Sequence, residues 1–113
     1  MPFTVVANAV FAALADPTRR HLLTQLATGG PSTATSLAAE LAISRQAVTK
    51  HLRILTEAGI AESTRIGREV RYAADLAPLQ QIDSWIEQIQ GAWASRLQLL
   101  AQSLEADLGD RSR

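Results

Sequence analysis

Residues 44–59 read Ser-Arg-Gln-Ala-Val-Thr-Lys-His-Leu-Arg-Ile-Leu-Thr-Glu-Ala-Gly, and this stretch decides the fold. Val48, Leu52 and Leu55 follow one another at intervals of four and three residues, which predicts an apolar stripe along one side of a helix. Ser44 is suited to capping the first turn, because its hydroxyl can accept a hydrogen bond from a free backbone N–H. Gly59 is suited to ending the helix in the left-handed conformation. The sequence therefore predicts one amphipathic helix over residues 44–58.

The side of this helix away from the stripe carries basic and amide groups. At about 100° per residue, Gln46, Lys50 and Arg53 point away from the apolar stripe, with Arg45 and Thr49 on its flank. Arginine and lysine can donate to guanine O6 and N7, glutamine can bind an adenine edge, and threonine can contact a thymine methyl or a phosphate. Taken alone, such a face is also typical of a helix that is simply solvated. The segments around it favour a helix that lies in the major groove of DNA.

Three further helices are predicted upstream, over residues 3–14, 17–27 and 34–42. Asp16 and Thr33 are suited to capping the second and third of these, and Pro17 fits a first helical position. The run Gly29-Gly30-Pro31 separates them. Because only Ile43 and Ser44 lie between the third and fourth helices, the pair predicts a helix-turn-helix.

A β-hairpin is predicted directly after Gly59. Residues 60–66 and 69–73 are compatible with strands, and Gly67-Arg68 between them is a turn signal. The hairpin carries Arg65, Arg68 and Arg71, and a hairpin in this position is the wing of a winged helix. Arg68 at its tip is expected to reach a phosphate or a narrow minor groove, while the other two hold the backbone.

The last predicted helix has a long apolar stripe, in which large side chains recur at intervals of three or four residues from Leu79 to Leu104. Exposed, this stripe would form too large an apolar patch for a monomer. We therefore predict a two-fold homodimer that pairs the N- and C-terminal helices with their copies. The candidate interface residues are Phe3, Val6, Val10, Leu79, Ile82, Ile86, Ile89, Trp93, Leu97 and Leu100.

Composition limits the remaining possibilities. The 113 residues suit one domain, predicted over residues 1–108, with a flexible tail at 109–113. The net charge is zero, yet residues 44–72 hold six Lys or Arg against three Asp or Glu, so positive charge is concentrated on the predicted binding surface. The chain has no cysteine, which excludes disulfides and thiolate metal sites. Neither a signal peptide nor a membrane span is evident, and a cytoplasmic location is expected.

The predicted DNA-binding residues fall into two groups. Arg45, Gln46, Thr49 and Lys50 lie in the first half of the helix and are expected to contact bases. The others are expected mainly to position the DNA backbone, with His51 contacting a phosphate or a partner. The full set is Ser44, Arg45, Gln46, Thr49, Lys50, His51, Arg53, Arg65, Arg68 and Arg71.

Four segments together resemble the ArsR/SmtB family of winged helix-turn-helix repressors: residues 10–20 (Val-Phe-Ala-Ala-Leu-Ala-Asp-Pro-Thr-Arg-Arg), 37–41 (Leu-Ala-Ala-Glu-Leu), 44–59 and 65–72 (Arg-Ile-Gly-Arg-Glu-Val-Arg-Tyr). The resemblance covers roughly residues 8–105. It implies a mainly α-helical fold of about five helices plus a two-stranded wing. It also implies a homodimer that binds an inverted-repeat operator in double-stranded DNA and represses transcription, often of its own operon.

The metal ligands of that family are missing here. Residues 32–38, where metal-sensing members place a cysteine pair, read Ser-Thr-Ala-Thr-Ser-Leu-Ala. The last helix contains no histidine, and Asp83 with Glu87 makes a poor zinc site without imidazole partners. We therefore expect no metal and no other cofactor. Trp85 is a weak candidate for contacting a small-molecule effector, whereas Trp93 is better explained by packing.

Two other classes of protein compete with a DNA-binding regulator. An enzyme is not expected, because the chain has no cysteine nucleophile, Gly-rich phosphate loop or Gly-x-Ser-x-Gly turn. A helical protein–protein interaction module without DNA binding would use the long apolar stripe, but it would leave the basic helix face and the wing arginines without a role.

Overall fold

The computed structural model describes residues 5–111, and its elements follow the predicted order. They are α1 (Val5–Leu14), α2 (Pro17–Gly29), β1 (Ser32–Thr33), α3 (Ala34–Leu41), α4 (Arg45–Glu57), β2 (Ala61–Ile66), β3 (Glu69–Ala74), a 3-10 helix (Ala77–Leu79) and α5 (Gln80–Arg111). The prediction of a mainly α-helical winged helix-turn-helix with five helices is therefore confirmed. Phe3, predicted to lie in the first helix and in the dimer interface, is outside the described residues.

Three of the helices begin at the predicted caps. The side chains of Asp16, Thr33 and Ser44 accept hydrogen bonds from backbone N–H groups three residues later, at 3.0, 3.2 and 3.1 Å. Each bond satisfies a donor that the first turn of a helix leaves free. Gly59 follows α4 with φ of 83°, as predicted for the residue that ends that helix.

The turn between α3 and α4 contains a strained residue. Ala42 has φ of 56° and ψ of 37°, in the left-handed region that favours glycine. Its backbone N–H and that of Ile43 both donate to the carbonyl of Ala38. This left-handed residue ends α3 at Leu41, one residue before the predicted end, and turns the chain into α4.

The core of the first part of the chain is formed by apolar side chains from α1 to β2. Leu22 and Leu26 of α2 and Val48, Leu52 and Leu55 of α4 are at most 2% exposed. The predicted stripe of α4 is therefore a core surface. The core is completed by Ala7, Val10, Ala13, Leu23, Ala34, Leu37, Ala38, Ala58, Ile60 and Ala61.

One predicted interface residue belongs to this core instead. Val10 is 0% exposed within its own protomer, so it has no surface to offer a second copy. Val6 on the same helix is 56% exposed. The reason is helical geometry: Ala7, Val10 and Ala13, spaced three apart, form the inner face of α1, and Val6 lies outside it.

The wing is part of a three-stranded antiparallel sheet with strand order β1-β3-β2. The hairpin prediction is confirmed, but the wing has one strand more than the two predicted. Ser32 and Thr33 pair with Tyr72 and Arg71 along the free edge of β3. A strand of two residues is too short to show any alternation of polar and apolar positions, so its sequence carries no strand signal.

The chain divides into two compact units, of which one ends at Gln81 and the other begins at Ile82. This differs from the single domain predicted over residues 1–108. Residues 109–111, predicted to be a flexible tail, continue α5. A lone glycine at 109 does not end the helix, because glycine costs only about 1 kcal/mol relative to alanine. Leu79 lies in the 3-10 helix before α5.

The second unit consists of α5 from Ile82 onward. Its predicted stripe lies on the surface of the protomer, since these side chains are between 38% and 62% exposed: Ile86, Ile89, Trp93, Leu97, Leu100 and Leu104. Ile82 is half-buried. No helix within residues 5–111 is long and apolar enough to cross a membrane.

Candidate nucleic-acid interface

The polar side of α4 forms one continuous surface. Arg45, Gln46, Thr49, Lys50 and Arg53 line a shallow, open concavity together. All but Thr49 are exposed. The Thr49 hydroxyl donates to the carbonyl of Arg45 at 2.9 Å, which leaves its oxygen free to accept. The structure therefore brings together the five residues whose positions on the helix predicted a groove-facing surface.

A second concavity joins this surface to the wing. It is a groove of about 650 Å³ between the first turns of α3 and α4 and strand β3. Its charged members are Arg45, Arg68 and Glu69. The remaining lining residues are neutral: Thr33, Ala34, Thr35, Ser36, Thr49, Val70 and Tyr72.

The sequence did not identify several of these groove residues. Thr35 and Ser36 carry hydroxyl groups at the start of α3, and Glu69 and Tyr72 lie on β3. They meet only because β1 pairs with β3 and brings the start of α3 beside the wing. No signal within either segment indicates that contact. A run of hydroxyl residues just before and within a helix start is the nearest hint, since such residues also bind DNA phosphates.

The three wing arginines do not share a face. Residues directly opposite in an antiparallel pair lie on the same side of the sheet, and neighbours along a strand alternate. Arg65 pairs with Val70, whereas Arg71 pairs with Thr64, so the two arginines point to opposite sides. Arg65 shares its side with Val70 and Tyr72, which line the groove, and Arg71 does not.

Two of these arginines also have partners within the wing. Nε of Arg65 donates to the carbonyl of Gly67 at 3.4 Å, and Nε of Arg71 lies 3.4 Å from Oε2 of Glu69. Arg68 makes no hydrogen bond or ion pair within residues 5–111. It occupies the second position of a two-residue turn whose first position, Gly67, has φ of 64°. Arg68 is therefore the wing cation most available to a phosphate.

His51 lies away from the predicted DNA surface. It is on α4, but at about 100° per residue it falls on the opposite side from Gln46, Lys50 and Arg53. Its Nδ1 atom is buried, makes no hydrogen bond within the described residues, and lies 3.9 Å from Oδ2 of Asp16. The assignment of His51 to DNA contact is therefore corrected: its ring faces the start of α2.

Asp16 is held as a carboxylate by its surroundings. The backbone N–H of Arg19 donates to it and is the main cause that lowers its pKa below the usual value of 3.8. Positive charge on His51 and Arg19 acts in the same direction, and partial burial opposes it. The Arg19 side chain in turn donates to the carbonyl of Ala13, so this corner ties the end of α1 to the start of α2.

Ser44 acts first as a helix cap. Its Oγ accepts from the N–H of Ala47, and the side chain is exposed. The hydroxyl hydrogen remains available to a phosphate, so the predicted backbone contact is compatible with the cap. Within residues 5–111 no three His, Asp or Glu side chains are grouped so that they could hold a metal ion.

Comparison with known proteins identifies the family to which this fold belongs. A family profile described as a helix-turn-helix domain matches residues 14–64. The transcriptional repressor SdpR of Bacillus subtilis is 37% identical over 79 residues, which cover 70% of this chain and 87% of that protein. An ArsR-like transcriptional regulator from a Rhodococcus species is 42% identical, with a TM-score of 0.70 over 86% of this chain and 91% of that one. This chain belongs to the ArsR family.

Two further matches of this ArsR-family chain cover a shorter stretch or have a lower identity. The transcriptional regulator CmtR of Mycobacterium tuberculosis is 44% identical over 61 residues, which cover 54% of this chain and 51% of that protein. A winged helix-turn-helix domain from Mycobacterium bovis, described as homodimeric, has 20% identity and a TM-score of 0.62 over 76% of this chain and 79% of that one. At that identity the likeness concerns the fold alone. The family consists of transcription regulators and not of enzymes.

Proposed function

We propose that this ArsR-family regulator is a homodimeric repressor that binds an inverted-repeat operator, possesses no metal switch and regulates transcription of its own operon. The observation that carries the proposal is the continuous polar surface of α4, with Arg45, Gln46, Thr49, Lys50 and Arg53 side by side. An α-helix fits the major groove of B-DNA, and these residue types match the donors and acceptors displayed there.

In this proposal, the groove between α4 and the wing supports different roles for the two elements: α4 contacts bases, and the wing contacts the DNA backbone. Arg45, Gln46, Thr49 and Lys50 contact base edges, because they lie in the first half of the helix that enters the major groove. Arg68 at the wing tip contacts a phosphate, since it has no partner within residues 5–111. Ser44 and Arg53 position the backbone on either side.

A salt series tests DNA binding. Binding to the inverted repeat upstream of the gene is measured by fluorescence anisotropy, and the logarithm of the affinity is expected to fall linearly with the logarithm of salt concentration, by about 0.9 per phosphate contacted. A Lys50→Ala, Arg53→Ala double variant is expected to lower that slope, because it removes two cations from the surface of α4. Binding that is absent or independent of salt would contradict the proposal and favour the helical interaction module.

The exposed stripe of α5 supports the dimer. Its side chains are placed symmetrically about Trp93, and the pattern repeats after eleven residues, which keeps the stripe nearly straight along the helix. Two antiparallel copies that cross at Trp93 bring together apolar side chains at equal distances from it. The opposed pairs, at four, seven and eleven residues, are Ile89 with Leu97, Ile86 with Leu100 and Ile82 with Leu104.

Cysteine cross-linking tests this arrangement. Since the chain has no cysteine of its own, only the introduced cysteines can form disulfides. A mixture of Ile86→Cys and Leu100→Cys protomers is expected to form disulfide-linked pairs, whereas Ile86→Cys alone is not. The reverse pattern would indicate a parallel pair. Sedimentation that finds only monomers at micromolar concentration would contradict the dimer itself.

A further inference from the structure

The groove between α4 and the wing is continuous with the polar surface of α4. Arg45 and Thr49 line both the groove and the concavity that contains Gln46 and Lys50. A helix that lies in the major groove of DNA is bordered on each side by a sugar–phosphate strand. In the proposed complex, one of those strands therefore passes the groove beside the first turn of α4.

Helix α3 contributes two hydroxyl groups to this groove. Thr35 and Ser36 line it, and both residues are exposed. They lie outside the buried face of α3, which is formed by Ala34, Leu37 and Ala38. Neither hydroxyl makes a hydrogen bond within residues 5–111. Because a hydroxyl can donate to a phosphate oxygen, both groups are available to the DNA backbone.

The charge of the groove favours an anion. Arg45 and Arg68 line it, and neither forms an ion pair in the described part of the chain. Glu69 also belongs to the lining, but the register of β3 puts its side chain on the side of Arg71, opposite Tyr72. On that side Oε2 of Glu69 lies 3.4 Å from Nε of Arg71. The side of β3 that carries Tyr72 therefore has no carboxylate.

We propose that one DNA phosphate occupies this groove and is bound jointly by α3 and the wing, through the hydroxyls of Thr35 and Ser36 and the guanidinium of Arg68. This inference rests on the proposed function, because it requires DNA beside α4. It gives α3 a direct contact with DNA, which the proposed function assigns only to α4, its cap and the wing. A phosphate held from both sides also fixes the wing relative to the helix-turn-helix on DNA.

The first test is a double-mutant cycle, measured by fluorescence anisotropy with the inverted repeat upstream of the gene and with a random duplex. A variant that combines Thr35→Val with Ser36→Ala is expected to weaken binding of the dimer to both duplexes by about tenfold or more, because hydrogen bonds to a charged group are lost in each protomer. The slope against salt is expected to stay as in wild type, since no cation is removed. In the Arg68→Ala background the same two substitutions are expected to cost less affinity, because the shared phosphate is then held less firmly.

A methylphosphonate series locates the phosphate. Each phosphate of one half-site is replaced in turn by a neutral methylphosphonate. The position at which this replacement weakens binding of wild type but has little effect on Arg68→Ala marks the phosphate that Arg68 contacts. At the same position the variant with Thr35→Val and Ser36→Ala is expected to lose less affinity than wild type, because part of its contact is already absent.

Ser63→Ala combined with Thr64→Val is the matched control, since it makes the same two changes at exposed positions of β2 that do not line the groove. Circular dichroism checks that each variant is folded. The inference is overturned if the α3 variant binds DNA as tightly as the control, if its loss is the same with and without Arg68, or if the methylphosphonates mark different phosphates for α3 and for Arg68. Wild-type protein without salt-dependent DNA binding would instead overturn the proposed function.

Discussion

Nδ1 of His51, in the middle of α4, lies 3.9 Å from Oδ2 of Asp16, the residue that caps α2. The atom is buried and has no hydrogen-bond partner within residues 5–111. A ring nitrogen that carries hydrogen in this position is attracted by the carboxylate, whereas a bare nitrogen lone pair is repelled. The relationship connects the helix predicted to contact DNA with the corner between α1 and α2.

Asp16→Asn tests the charge of this corner, because asparagine is also a good N-cap. The lowered pKa of Asp16 means that its ionised form stabilises the fold above the unfolded value of 3.8. That contribution is lost as the pH falls through the lower, folded value. The variant is therefore expected to be less stable than wild type at pH 7, with the difference vanishing in stronger acid.

Urea unfolding from pH 7 down to about pH 2.5 measures this difference. His51→Gln serves as the companion variant and is expected to retain the acid dependence due to the Arg19 N–H. A deficit of Asp16→Asn that persists unchanged in acid would mean that packing, and not charge, is lost.

Gln46→Ala is expected to weaken binding to the operator by about 1–3 kcal/mol and to leave random DNA almost unaffected. The physical reason is the loss of a bidentate contact with a base edge. Competition anisotropy with both duplexes measures the two affinities, and Gln90→Ala on exposed α5 is the control. Equal losses on both duplexes would show that Gln46 does not read sequence.

Arg68→Ala is expected to weaken binding to all sequences to a similar extent, because a phosphate contact carries no sequence information. The slope of log affinity against log salt is expected to fall by about one per protomer, and so by about two for the bound dimer. Arg96→Ala, which removes the same charge from α5, controls for net charge. An unchanged slope would remove Arg68 from the phosphate contacts.

Ser44→Ala is expected to lower the free energy of unfolding by about 1 kcal/mol, since the N–H of Ala47 then loses its acceptor. Urea denaturation measures the change, with the m-value unaltered. Ser63→Ala, at an exposed position of β2, is the control and is expected to change stability by less than about 0.5 kcal/mol. Equal effects of the two substitutions would argue against the cap.

Local signals account for most of what the sequence predicted. The caps at Asp16, Thr33 and Ser44 and the stripe of α4 depend on residues within one or two turns, so sequence spacing reveals them. Contacts between segments that are distant in the sequence leave no such local pattern. For this reason the sequence does not reveal β1 or the fact that Glu69 lines the groove. His51 is a different case: its place on α4 suggests a DNA contact, but helical periodicity puts it on the side away from Gln46.

The left-handed alanine at position 42 bears on how the protein would bind the proposed operator. An alanine in that conformation costs roughly 1–2 kcal/mol, which the surrounding core must offset. We expect this joint between α3 and α4 to be ordered before DNA binds, because the backbone N–H groups of Ala42 and Ile43 both donate to the carbonyl of Ala38. Complex formation then incurs little loss of conformational entropy at that joint, and more of the contact energy is expressed as affinity.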